Sequence, residues 1–206
     1  MFMFQKTIKP TECLKIVNVV VGRSADRVRI FVTCSGPITT NIRIFDKAPV
    51  SLDIVEQPNF ALSIEQGSLP FVSDLNGDFL EDILYSEALA PHKIKVAFQT
   101  LNPSEFIIKD FETSMLVIDE TEGCLQRGTN FGSRKLSTPH TAAQIDFDGD
   151  CLSDLFLTVV DSLTGKTFYE IYHRREQEPQ NTDEENTNST DPDSILLKGL
   201  HSFCLI

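Results

Sequence analysis

The sequence predicts an all-β chain organised as part of a β-propeller. Three observations lead there. Short runs rich in Val, Ile, Phe and Thr recur along the chain, punctuated by Gly, Pro, Asn and Asp. No segment sustains a helical period. An acidic turn between two apolar strands occurs twice, with Asp74 and Asp146 as matching first residues, an offset of 72 (146 − 74).

Strands are expected at residues 16–21, 28–33, 41–45, 60–64, 94–99, 106–108, 115–118, 155–160 and 167–172. The two acidic turns add the strands that flank them. LPFVSDLNGDFLEDILY, residues 69–85, and AAQIDFDGDCLSDLFL, residues 142–157, both read as strand, D-x-[DN]-G-D-x-x-x-D, strand. Each is followed by a further strand, at 93–99 and 167–173. Residues 17–32, VNVVVGRSADRVRIFV, match the second and third strands of this unit without its acidic loop. The expectation is about two complete blades with a partial one before them. The unit exceeds the WD40 period and the chain has no Trp.

Residues 1–175 form the expected propeller region. Residues 176–194 hold seven acidic side chains (Glu176, Glu178, Asp183, Glu184, Glu185, Asp191 and Asp193) with no Lys or Arg, the composition of a disordered linker. Residues 195–206 turn apolar again and read as a strand of a further blade.

The chain has 206 residues and a net charge of −12. No basic stripe is available to neutralise phosphates, which argues against nucleic acid as a partner. The five cysteines, Cys13, Cys34, Cys124, Cys151 and Cys204, contain no C-x-x-C pair. Disulfides plus a free thiol are compatible with that odd count, and the redox compartment stays open. The opening segment lacks the apolar core of a signal peptide, and no stretch of about 18 apolar residues is present to span a membrane.

The acidic turns fit a hard cation. Calcium takes roughly six to eight oxygens in flexible geometry. In the first loop, positions 1, 3, 5 and 9 are Asp74, Asn76, Asp78 and Asp82; in the second they are Asp146, Asp148, Asp150 and Asp154. Leu80 and Leu152, at position 7, are expected to offer backbone carbonyls while their side chains face the core. Gly77 and Gly149 allow the sharp turn. An EF-hand is excluded: its Gly stands at position 6 and its Glu at position 12, where this chain has Tyr85 or Leu157. The competing reading is a pair of polar Asp-Gly turns, set against seven carboxylates that would repel one another without a cation. Ca2+ is therefore the expected ion. The second loop, with four carboxylates to three, should bind it more tightly.

These loops resemble the calcium loops of FG-GAP repeats, the blades of integrin α-subunit propellers. The closer similarity is to the T-cell immunomodulatory protein family. It rests on FVSDLNGDFLEDIL, STPHTAAQIDFDGDCLSDLFLTVV and FYEIYHR, and covers about residues 15–173. The resemblance implies a cell-surface glycoprotein: an extracellular propeller, a signal peptide and a single membrane anchor in a type I topology, acting on a protein partner such as a receptor or ligand. This sequence shows neither leader nor anchor. The expectation is thus a fragment of a longer protein, with an anchor only in the longer form. Asn188, in Asn-Ser-Thr, is a candidate glycosylation site.

No nucleophile elbow, P-loop, H-E-x-x-H or dinucleotide fingerprint occurs. His92, His140, His173 and His201 are scattered. The function expected is a non-enzymatic, calcium-stabilised extracellular recognition module with no small-molecule substrate. Two alternatives stand beside it: the propeller portion of a secreted enzyme, and an integrin-α-like adhesion subunit.

Overall fold

Side chains alternate across the faces of a strand, so a strand buried on both faces must lie between two layers. The chain forms three antiparallel sheets whose middle layer is of this kind. The computed structural model describes residues 13–24, 27–47, 53–57, 60, 62–89, 93–102, 104–111, 134–137, 142–161, 165, 167–173 and 201–205. Among these no helix occurs, and none is long and apolar enough to cross a membrane.

The first sheet orders β1 (Lys15–Ser24), β2 (Arg27–Ser35), β3 (Thr40–Lys47) and β4 (Ile54–Glu56) in sequence. The second does the same with β5 (Phe71–Ser73), β6 (Asp82–Ser86), β7 (Ile94–Gln99) and β8 (Phe106–Asp110). In the third, β9 (Arg134–Leu136) and β10 (Ala142–Ile145) share one side of β11 (Asp154–Asp161). The other side of β11 continues through β12 (Thr167–His173) to β13 (His201–Leu205).

Strand β6 is buried at every position. Its Ile83 and Tyr85 pack with Ala97 against Phe31, Ile42 and Ile44 of the first sheet. Its Leu84 packs with Val96 and Phe98 against Leu155, Leu157 and Val159 of the third. Each Val, Leu, Ile and Phe among these contributes about 1.5–3 kcal/mol by leaving water. The second sheet is therefore the middle layer, and its loops lie between neighbours on both sides.

A buried polar cluster ties the first and second sheets. Arg29, 0% exposed, donates from Nε to Asp46 Oδ1 at 2.7 Å and from Nη2 to Asp46 Oδ2 at 2.8 Å. Its Nη1 donates across to Gln99 Oε1 on β7 at 2.6 Å. Gln57 Nε2 donates to Asp46 Oδ2 at 2.9 Å, and the guanidinium sits 5.8 Å from the centre of the Phe106 ring. A disulfide joins Cys13 to Cys34, with Cα atoms 5.2 Å apart, and closes the open end of the β1–β2 hairpin.

Several expectations change. The first sheet has four strands rather than a partial set, and residues 17–32 supply its first and second strands. The expected strand at 60–64 is reduced to Ile64, which bridges Thr40 of the first sheet and Glu87 beside the second. The Ile64 N–H and C=O both bond Thr40, while Glu65 N–H donates to the Ser86 carbonyl and Ala88 N–H to the Ser63 carbonyl, so residues 63–65 fill the gap. Strands β4 and β9 escape the sequence pattern because each has three residues, too few to show alternation. Strand β13 falls inside the apolar tail. Residues 115–118, the linker 176–194 and Asn188 lie outside the described residues.

Replacing Arg29 with Ala should destabilise the fold by about 3–5 kcal/mol, because Asp46 is left buried without its cation. The paired change Arg29→Met with Asp46→Leu should lose less than Arg29→Met alone. Urea denaturation of the three variants checks both statements.

Candidate metal centre

Each acidic loop is the connection of a tight hairpin. Ser73 pairs with Asp82, so residues 74–81 join β5 to β6. Ile145 pairs with Asp154, so residues 146–153 join β10 to β11. Short polar side chains at alternate positions bond the loop's own backbone and hold it closed.

The two loops use the same hydrogen bonds, position for position. Asp74 accepts from the N–H groups of Gly77 and Phe79; Asp146 accepts from those of Gly149 and Cys151. Asn76 Oδ1 accepts from Asp78 N, and Asp148 Oδ1 from Asp150 N. Asp78 Oδ1 accepts from Leu80 N, and Asp150 Oδ1 from Leu152 N. Asp82 Oδ2 takes Leu75 N at 2.9 Å, and Asp154 Oδ2 takes Phe147 N at 2.8 Å.

Backbone strain matches as well. Gly77 and Gly149 have φ of 81° and 77°. Phe79 and Cys151, at the sixth loop position, are non-glycine residues at φ 67° and 69°. For an L-residue that conformation costs roughly 1–2 kcal/mol. The sequence marked the glycines, whereas nothing in the residue type marked Phe79 or Cys151.

The loops differ in how their oxygens gather. In the second, Asp146, Asp148 and Asp154 each offer an oxygen, and these oxygens all lie within 4.8 Å of one another. Oxygens bound to one calcium ion at 2.3–2.6 Å sit up to about 5 Å apart, so this all-oxygen set fits such an ion. Asp146 and Asp148 are exposed and Asp154 is buried, so a cation would enter from solvent and meet a fixed floor. Asp150 is outside this group, with its Oδ1 on Leu152 N. In the first loop Asp82 is 0% exposed, Asp78 is exposed, and Asp74 and Asn76 are half-buried. There Asn76 Nδ2 donates to Asp78 Oδ2 at 3.0 Å. The Leu80 side chain is buried and that of Leu152 half-buried.

Burial pushes the Asp82 carboxyl up to about 7. The N–H groups of Leu75 and Gln99 act against that rise, while Asp78 and Asp74 add to it. A cation in the loop would supply the positive charge that stabilises the ionised form.

Three residues that sequence reading passed over fix the first loop in place, Gln99 and Gln144 from outside it and Glu81 from within. Gln99 donates its N–H to Asp82 Oδ1 at 3.0 Å. Gln144, on β10, donates from Nε2 to the Asp74 carbonyl at 2.7 Å and accepts from Ser73 Oγ. Glu81 packs over Gly22 of β1, so close that a Cβ at Gly22 would lie 2.5 Å from the Glu81 carboxyl carbon. No sequence signal separates these residues from ordinary strand positions.

Comparison with known proteins finds no family model, no curated protein and no solved structure that matches the chain.

Gly149→Ala should destabilise by about 1–2 kcal/mol, since its Cβ would meet nothing within 4 Å and only the backbone conformation is penalised. Phe79→Gly should be neutral or mildly stabilising, because Phe79 is 86% exposed and gives up little packing. Thermal melts of both variants in chelator test the pair.

Proposed function

We propose that this chain is a calcium-stabilised, non-enzymatic recognition module working outside the cell, with its sheets serving as blades of an FG-GAP-type β-propeller. The observation that carries the proposal is the second acidic loop. Its three carboxylates converge at calcium spacing, on a hydrogen-bond frame that the first loop shares. Three antiparallel sheets packed face to face fit the blade assignment. The disulfide between Cys13 and Cys34 fits an oxidising compartment. The ion's role is structural. It would neutralise the loop carboxylates, favour the strained turn, and pin each hairpin without taking part in chemistry. The module's partner is a protein at the cell surface.

Calorimetric titration with calcium tests this directly. Two binding events are expected, and Asp146→Asn with Asp148→Asn should remove the tighter one. At a free concentration of one hundred times Kd, each site adds about 2.7 kcal/mol of stability, so chelator should lower the melting temperature by several degrees. Absence of heat, together with identical melts in calcium and chelator, would overturn the assignment.

A further inference from the structure

A cavity of about 190 Å³ is lined by residues 65–68, by residues 135–137 and by Val160. The acidic loops enter β6 and β11 at Asp82 and Asp154, whereas the cavity lies by the far ends of those strands, beside Ser86 and Val160. One buried residue sets both of its walls. Ser86, 0% exposed, accepts from the Glu65 N–H at its carbonyl, 2.9 Å, and from the Leu136 N–H at its hydroxyl, 2.8 Å. The wall at 65–68 is a tight turn, closed by the Ser68 N–H on the Glu65 carbonyl at 3.0 Å, with Gly67 at φ 81°. The wall at 135–137 is held to β11, where the Ser137 N–H donates to the Thr158 carbonyl at 2.8 Å. Main-chain donors fix both walls, so the cavity is formed in advance of any ligand.

Among the described residues lining the cavity, Lys135 and Glu65 carry the charges, one of each sign. Lys135 Nζ donates to Glu65 Oε1 at 3.3 Å, and the two side chains are 39% and 15% exposed. An ammonium has three donors and a carboxylate only acceptors, so a donor and an acceptor stand side by side. Ser68 is 3% exposed, and its Oγ has no hydrogen-bond partner within the protein. A buried hydroxyl left in that state is costly, which sets it apart from an ordinary packing position. Leu136 and Val160 add apolar surface. An anionic ligand would lie against Glu65 and a cationic one against Lys135, so each would face a like charge. A primary carboxamide avoids both: its oxygen accepts from Lys135 and its nitrogen donates to Glu65. A cavity of about 150 Å³ takes benzene, so this one has room for a single side chain with its methylene stem. We propose that this cavity is a recognition pocket for a glutamine-type carboxamide side chain of a protein partner. The Ser68 hydroxyl gains its partner when the pocket fills. That the side chain belongs to a protein rests on the function proposed above, whereas the chemistry of the pocket does not.

Nuclear magnetic resonance titration of the whole chain, in chelator, tests it. The ligands are the N-acetyl amides of glutamine, glutamate, lysine and norleucine, which share one backbone. The glutamine derivative should shift the amide signals of Gly67, Leu136 and Ser137 to saturation, and it should bind about tenfold more tightly than the other three. Lys135→Met should weaken that binding about tenfold, and Lys135→Arg should keep most of it. Neither change disturbs the core, because the Lys135 side chain is 39% exposed. Ser68→Ala should weaken binding by about threefold to tenfold. Signals unmoved by all four ligands, equal affinity for the four, or tighter binding of methyl glucoside, which would make the ligand a sugar, would overturn the proposal. The cavity shares no residue with the acidic loops, so calcium binding and pocket binding fail separately. The result with these small ligands also stands apart from the search for a protein partner.

Discussion

Arg29 is the constraint around which the fold is arranged. A guanidinium taken fully out of water is tolerated only if its donors meet acceptors inside the protein. Asp46 supplies two of these from the same sheet and Gln99 one from the next. That last bond fixes the end of β7 against the first sheet. The main chain of Gln99 in turn holds Asp82, the residue that closes the first acidic loop. One buried charge thus links the apolar interface of the first two sheets to the geometry of a polar turn. An apolar interface alone is non-directional, and it would allow the sheets to slide. The bond from Arg29 to Gln99, aimed by the fork that Arg29 makes on Asp46, permits one registration.

The two acidic loops show how identical local chemistry acquires different roles. Their internal hydrogen bonds and positive-φ positions correspond throughout. Their surroundings do not. The first half-buries Asp74 and Asn76, whereas the second exposes Asp146 and Asp148; Asp82 and Asp154 are both 0% exposed. The expectation of a tighter second site came from counting charges. The structure adds that three of its four carboxylates converge, with an oxygen of each within 4.8 Å of the others.

Much of the fold was legible because strands longer than about five residues announce themselves by composition. Strands β2, β3, β7, β11 and β12 fell where Val, Ile, Phe and Thr cluster. The loops were legible for a related reason: Asp at alternate positions with Gly at the turn is a local pattern, and local hydrogen bonds satisfy it. What stayed hidden was set by distance in sequence. Ile64 looks like part of a strand, but it pairs through isolated bridges opposite Thr40 and Glu87. Arg29 looks like a surface residue in an exposed hairpin, and only its partners 17 and 70 residues away explain its burial. The β9 segment, Arg-Lys-Leu, has no strand signature, and it pairs because β11 extends past β10 and leaves an open edge.

The sequence by itself determined the all-β class, the two hairpin loops and their ligand-type side chains, because each depends on neighbours a few residues apart. Tertiary structure alone decided which sheet lies in the middle, which cysteines join, and what grips the first acidic loop from outside. Those outcomes rest on contacts between residues some 20 to 70 positions apart, such as Cys13 with Cys34 and Gln144 with Asp74. Packing two faces of one sheet selects them, and no local pattern encodes which faces will meet.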